Sequence, residues 1–223
     1  MIAMDESRTA VTGMESRGRN NSPLFEASRV KHHGMVVGKI ASAFHFARTG
    51  TMIRDLADAL ADNESVFALG VVDEGGRVAG IVVRRDLFDI LGKPFGRDLY
   101  TNKSVEKVMK PAVMFDASTN IFAVAEELSG TLNASVIGYY VLTDADGVFS
   151  GIFSSKDLLI CLSEMTTKDI ELARRLQAGM VREEYMEGSP RFAVVGASGM
   201  AKGVGGDYYR IRRYDGTRRL IAL

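Results

Sequence analysis

The sequence predicts a mixed α/β (α+β) fold made from a duplicated β-α-β-β-α unit, and three observations carry that expectation. GRVAGIVVRRDLF (Gly76–Phe88) returns as GVFSGIFSSKDLL (Gly147–Leu159). Gly80 and Gly151 lie 71 positions apart (151 − 80), as do Asp86 and Asp157, and a fixed spacing over separate landmarks marks an internal repeat. Each copy then lays out the same succession of strand-like and helix-like runs around an acidic, glycine-bearing turn. Last, KDLLICLSEMTTKDIELARRLQAGMVR, from Lys156 to about Arg182, contains no proline and one glycine, Gly179, and predicts one long helix.

In chain order, Met1 to about Ser22 has few aliphatic residues and no sustained period and reads as a disordered leader, followed by a lead-in to residue 34. From Pro23 onward, Leu24, Phe25, Val30, Val36, Val37 and Ile40 predict a helical lead-in. His32 and His33 are adjacent and would diverge by about 100° on a helix, so they read as solvated surface residues. The first repeat, about residues 36–93, reads as strand Ala43–Phe46, helix Thr51–Ala61, strand Val66–Val72, turn Asp73–Gly76, strand Arg77–Val83 and helix Asp86–Leu91. Gly92, Lys93 and Pro94 stop that helix. FGRDLYTNKS is a polar connection to the second repeat, about residues 104–163. That copy has a strand at Val113–Phe115, a helix at Asn120–Leu128, a strand at Val136–Leu142, a turn at Asp144–Gly147, a strand at Val148–Phe153 and a helix from Lys156. The lead-ins match as VGKIASAFHF against VEKVMKPAVMF with one residue inserted. Neither copy alone buries both faces of a three-stranded sheet, so residues 35–165 are expected to pack as one unit.

The 28 basic and 28 acidic residues cancel, leaving no global field for nucleic acid or an anionic membrane. One cysteine, Cys161, set among Leu158, Leu159, Ile160 and Leu162, reads as a buried structural thiol in a reducing compartment. No apolar run approaches the roughly 20 residues of a membrane span, and the N-terminus lacks a signal-peptide core. A cytoplasmic protein is expected.

The paired units, each with a D-x-x-G-x-h-x-G-h-h-x-x-x-D core, resemble the cystathionine-β-synthase (CBS) domain pair over Val36 to Ser163. The resemblance implies a binding module that takes an adenine nucleotide (AMP, ADP or ATP-like) as regulatory ligand between the repeats, and a homodimer. It also implies roles: a Ser or Thr three residues before the Asp contacts phosphate, and the Asp holds the ribose hydroxyls. SSKD keeps both groups, as Ser154 and Asp157. VRRD has Val83 in place of the hydroxyl but keeps Asp86, with Arg84 and Arg85 as candidate phosphate contacts. One competent and one altered site are therefore expected. The residues alone also allow both carboxylates to be helix caps.

In the long helix, Leu158, Leu162, Met165, Leu172, Leu176 and Gly179 alternate spacings of three and four, with Asp169 interrupting. That pattern suits either a short coiled coil or an amphipathic helix lying on its own domain. ELARRLQAGM (Glu171–Met180) resembles the linker helix before bacterial PPM-type (protein phosphatase 2C-like, SpoIIE-type) phosphatase domains, here spanning residues 166–187. RFAVVGASGMAKGVGGDYYRIRRYDGTRRLIAL (Arg191–Leu223) resembles that family's opening strand, its V-G-G-D-[FY]-Y segment (Val204–Tyr209) and a hairpin turning at Asp215-Gly216. By resemblance Asp207 corresponds to a ligand of Mn or Mg, a metal implied only where that domain is complete; Arg210 stands where that family has a further Asp. Residues 188–223 read as an incomplete, truncated start of such a domain. No catalytic residue is assigned, and a phosphoprotein substrate belongs only to an intact relative. Arg210, Arg212, Arg213, Arg218 and Arg219 read as a solvated, charged hairpin. The rival readings are an active phosphatase completed by further sequence and a ligand-free dimerisation scaffold.

Overall fold

The computed structural model describes residues 22–130, 136–180, 184–189, 192–197, 209–214 and 217–222, with side chains up to residue 177. The backbone forms two compact units, one through Leu159 and one from Ile160. In the first unit, β1 (Phe25–Glu26) pairs antiparallel with β2 (His45–Arg48), and α1 (Ile53–Asp62) follows. β3 (Ala68–Val72) runs parallel to β2, and β4 (Val78–Val83) returns antiparallel beside β3. α2 (Arg84–Leu91) and the short α3 (Gly96–Tyr100) close this half. The second half repeats the order with β5 (Met114–Asp116), α4 (Ile121–Leu128), β6 (Tyr139–Thr143), β7 (Phe149–Ser154) and the start of α5 (Ser155–Met180). β5 is parallel and β7 antiparallel to β6. The mixed α+β fold with two repeats and a long C-terminal helix is as expected.

Local chemistry explains the elements. α1 buries Ile53, Leu56, Ala57 and Leu60, an i, i+3, i+4, i+7 stripe, against Leu69, Val71, Val82, Leu87 and Leu91. α4 is capped by Asn120, whose side chain accepts from the Phe122 N–H at 2.9 Å. Both hairpins turn alike. Asp73 Oδ1 accepts from the Arg77 N–H at 2.9 Å, and Asp144 Oδ1 accepts from the Val148 N–H at 2.9 Å. Gly76 and Gly147 take the left-handed φ of 80° and 77° that each turn requires.

The two halves superpose as registers, residue for residue. Phe46 faces Gly70 as Met114 faces Val141, and the ladder slips between Val71 and Val72 as it does between Leu142 and Thr143. The equivalence is thus 68 positions before the first helix of each half (114 − 46) and 71 after it (141 − 70). The lead-ins align without the inserted residue expected from sequence; the three extra residues of the second half fall between α4 and β6.

Each lead-in is spent on the other half. Val37 and Gly38 donate to the Thr119 and Ala117 carbonyls at 2.8 and 2.9 Å, and Ile121 donates to Met35 at 3.0 Å. In the mirrored arrangement Val105 donates to Thr51 at 2.8 Å and Ile53 to Lys103 at 2.9 Å. Further along, Ala43 and Ile152 exchange bonds of 3.1 and 2.7 Å, while Lys110 and Ile81 exchange two of 2.9 Å. Arg77 bridges Val148, its own equivalent, which places the pseudo-twofold axis between β4 and β7. Phe46, Ala68, Val72 and Ile81 from one half share a core with Val141, Phe149 and Ile152 from the other. The two sheets therefore pack together, and the repeat glycines lie where the exchanged segments cross: a Cβ on Gly80 would sit 2.8 Å from the Lys110 carbonyl oxygen.

Three expectations are corrected. Residues 23–40 form β1 and one 3-10 turn (Val37–Ile40) rather than a helical lead-in, because their backbone groups are satisfied by β2 and by the opposite half. FGRDLYTNKS contains α3, entered through Phe95 at φ 62°. The helical linker expected to residue 187 gives way to β8 (Glu184–Ser189), which pairs with β9 (Phe192–Ala197) and so supplies the backbone partner that strand requires. β10 (Tyr209–Tyr214) and β11 (Thr217–Ala222) form the expected hairpin. The expected disordered leader lies outside the described residues apart from Ser22. No helix among the described residues is long and apolar enough to cross a membrane.

Candidate functional site

Ser154 ends β7 and Asp157 sits in the first turn of α5, so the S-x-x-D spacing places both at a helix N-terminus. The Ser154 backbone N–H and hydroxyl donate to Asp157 Oδ2 at 2.8 and 2.7 Å, and the Asp157 N–H donates back to Ser154 Oγ at 3.2 Å. This reciprocal pattern is a capping box. A third donor arrives from the other half: the Ser42 hydroxyl reaches the same Oδ2 at 2.7 Å. Its backbone is held by the Ile152 carbonyl at 2.9 Å, so strand pairing between the halves aims the side chain. Among the described residues, no hydrogen bond or ion pair goes to Asp157 Oδ1. Ser155 anchors the same turn, accepting from and donating to the backbone of Gly138 at 3.1 and 2.9 Å.

Tyr139, paired with Ser154 across β6 and β7, borders this group. Burial raises its phenol above 10.0, the negative charge of Asp157 adds to the rise, and the positive charge of Arg85 opposes it. Tyr139 thus lies within the fields of a carboxylate from its own half and a guanidinium from the other.

The first half places Asp86 equivalently in α2, but its surroundings differ. Val83 offers no hydroxyl. Lys110, the equivalent of Ser42, donates its ammonium to Asp86 Oδ2 at 2.6 Å, and Arg85 Nε lies 3.6 Å from Oδ1. Arg84 is engaged elsewhere: its guanidinium donates to the Leu60 carbonyl and, at 2.9 Å, to that of Asn63, and it lies over the Phe88 ring. It caps the C-terminus of α1, as cations do. The sequence placed Ser154, Asp157, Asp86, Arg84 and Arg85; the structure unites the first two in one cluster and Arg85 with Asp86 in another, and commits Arg84 to α1.

Ser42, Lys110 and Tyr139 were missed. Lead-ins aligned at a constant offset of 68 would have set Ser42 opposite Lys110 and drawn attention to both. Asp207, the expected metal ligand, lies outside the described residues, and among the described residues no group of three or more His, Cys, Asp or Glu is placed to hold a metal ion.

The family model described as "CBS domain" matches residues 37–93 and 105–164, just over half of the chain. Similar solved structures include CBSX2 in complex with AMP, 25% identical over 60% of this chain and 99% of that one, with a TM-score of 0.46. A CBS domain-containing protein of unknown function from Bacillus anthracis is 18% identical over 58% and 93% of the two chains, with a TM-score of 0.48. The cytosolic domain of the Mg2+ channel MgtE in complex with ATP is 20% identical over 56% of this chain; the match spans about half of that one (48%), with a TM-score of 0.45. No curated protein matches the sequence. Two family-model matches, falling on two halves of equivalent register, identify the chain as a member of the CBS-domain family with a tandem CBS pair.

Proposed function

We propose that this CBS pair is a regulatory sensor of an adenine nucleotide, with Asp157 holding the ribose hydroxyls and Ser154 meeting phosphate at the start of α5. The observation that carries the reading is the state of the carboxylate. Asp157 Oδ1 receives no bond among the described residues, and two of the three donors on Oδ2 are hydroxyls. A sugar diol can add to the first oxygen or replace the hydroxyls at the second in kind. The 26-residue helix beginning at Ser155 favours a phosphate beside its first turn. The adenine identity rests on the resemblance to CBS pairs.

AMP and ATP, named in the descriptions of two of the similar structures, are the first ligands to test, followed by ADP, S-adenosylmethionine and cyclic di-adenylate. A ligand at ~100 times its Kd adds about 2.7 kcal/mol to the folded state, a clear rise in Tm. Asp157→Ala is expected to abolish the rise; an undiminished shift in that variant, or none with any ligand in the parent chain, overturns the reading. Because α5 starts at the site and continues to Met180, occupancy acts on the first turn of a 26-residue rod, the route by which a sensor signals onward. A cytoplasmic homodimer is part of the same proposal, and light scattering of the purified chain tests its oligomeric state.

A second reading concerns residues 188–223, where the V-G-G-D-Y-Y segment (Val204–Tyr209), preceded by ELARRLQAGM (Glu171–Met180) in the linker helix, favours the opening of a PPM-type domain with Asp207 as a metal ligand. With one carboxylate in the matched motif, residues 188–223 by themselves are not expected to hold the two-metal site that hydrolysis needs. Manganese-dependent turnover of p-nitrophenyl phosphate that is lost in Asp207→Asn would overturn that expectation.

A further inference from the structure

The two carboxylates stand at equivalent positions, three residues past the end of β4 and of β7. Each is reached on Oδ2 by a side chain from the opposite half, Ser42 at 2.7 Å and Lys110 at 2.6 Å, and those two residues are themselves equivalent (110 − 42 = 68). The geometry is conserved by the duplication and the chemistry is not. We infer that Lys110 determines which half-site accepts a nucleotide: its ammonium occupies, from the second half, the place on Asp86 that a sugar diol would need, so the chain takes one nucleotide, at Asp157.

Three features enforce the block. Both oxygens of Asp86 face a cation, Oδ2 Lys110 and Oδ1 Arg85, whereas Asp157 has one oxygen without a partner among the described residues. At Asp157 an entering diol exchanges hydroxyl for hydroxyl; at Asp86 it must displace an ammonium whose charge a neutral diol does not replace. Nor is Lys110 free to leave by a backbone shift. Its N–H and carbonyl are both bonded to Ile81 at 2.9 Å, and Gly80 abuts the same carbonyl. Val83 completes the asymmetry by removing the hydroxyl that Ser154 supplies.

This inference rests on Asp157 being the ribose carboxylate, and the experiment separates the two. Equilibrium dialysis of the full chain with radiolabelled AMP at saturation is expected to give one nucleotide per chain for the parent. Lys110→Ser combined with Val83→Ser transplants the second half's donors and is expected to give two. Adding Asp157→Ala to that pair returns the count to one, now at Asp86. Zero in the parent overturns the nucleotide reading and this inference together. One in both parent and double variant, or two in the parent, overturns this inference alone. Should the double variant not fold, competitive acylation of Lys110 in the parent chain decides: its reactivity is expected to be unchanged by saturating AMP, and protection by AMP overturns the block.

Discussion

The two halves share a backbone plan yet fill it with different side chains, and the contrast separates what the fold needs from what the site needs. Phe115, Tyr140 and Phe153 form an aromatic cluster in the second half, with ring centroids 5.1–6.2 Å apart. At the equivalent positions of the first half stand Ala47, Leu69 and Val82, all buried. The strand registers are the same in both, and both lead-ins pair with the opposite half. Ile152 bonds Ala43, however, where its equivalent Ile81 bonds Lys110, one residue earlier, because Pro111 has no N–H to give. Backbone pairing between the halves is thus the constant, and core volume is redistributed around it. The polar site diverges more sharply, with hydroxyl donors on Asp157 and cations on Asp86.

The largest expected effect tests the cores. Phe153→Ala should destabilise by about 3–5 kcal/mol, against about 2 kcal/mol for its counterpart Val82→Ala, in urea unfolding. Equal losses would break the contrast between an aromatic and an aliphatic core. Next comes the crossing point. Gly80→Ala drives a methyl toward the Lys110 carbonyl and should cost about 1–3 kcal/mol, with the loosened pairing visible as faster amide exchange at Ile81 and Lys110.

The helix starts differ more modestly. Ser154→Ala removes the cap of α5 and should cost about 1 kcal/mol. Lys110→Ala should cost less than about 1 kcal/mol, since the Lys110 side chain is 61% exposed and the pair is partly screened. Raising salt to 1 M, where the Debye length is about 3 Å, should erase the Lys110→Ala loss and leave that of Ser42→Ala intact. A Lys110→Ala loss insensitive to salt would mean that its bond to Asp86 is not the ionic lock described.

The smallest effect is a titration. Folding raises the Tyr139 pKa above 10.0, so the stability from its neutral phenol is complete below that pH and is lost as pH climbs through the folded value. Asp157→Asn should bring the Tyr139 transition down and Arg85→Gln should push it further up, read as absorbance differences against matching Tyr139→Phe chains. Identical curves would remove Tyr139 from the boundary between the two sites.

Much of the fold was legible because its signals are local. The Asp73–Gly76 and Asp144–Gly147 turns, the glycine and aspartate spacings and the alternating runs all act within a few residues. Residues 23–40 misled because the periodic apolar positions there serve a β1 pairing and a lead-in docked on the opposite half, partners that no local window contains. The site divided the same way. Ser154 and Asp157 are three residues apart and were found together, whereas Ser42 lies 115 positions from the carboxylate it touches. Asp86 was recognised by its motif, but its neutralisation by Lys110 depends on a bond across 24 positions and across the halves. Arg84 shows the converse. Its place in VRRD pointed to phosphate, and the end of α1 claimed it instead.

A crystal of the full chain grown with AMP puts the central claim to its most direct test. The ribose hydroxyls should lie within about 3 Å of Asp157 Oδ1, with the Lys110–Asp86 pair unbroken. Density for the sugar at Asp86 with Lys110 displaced, or AMP bound away from both carboxylates, would contradict it.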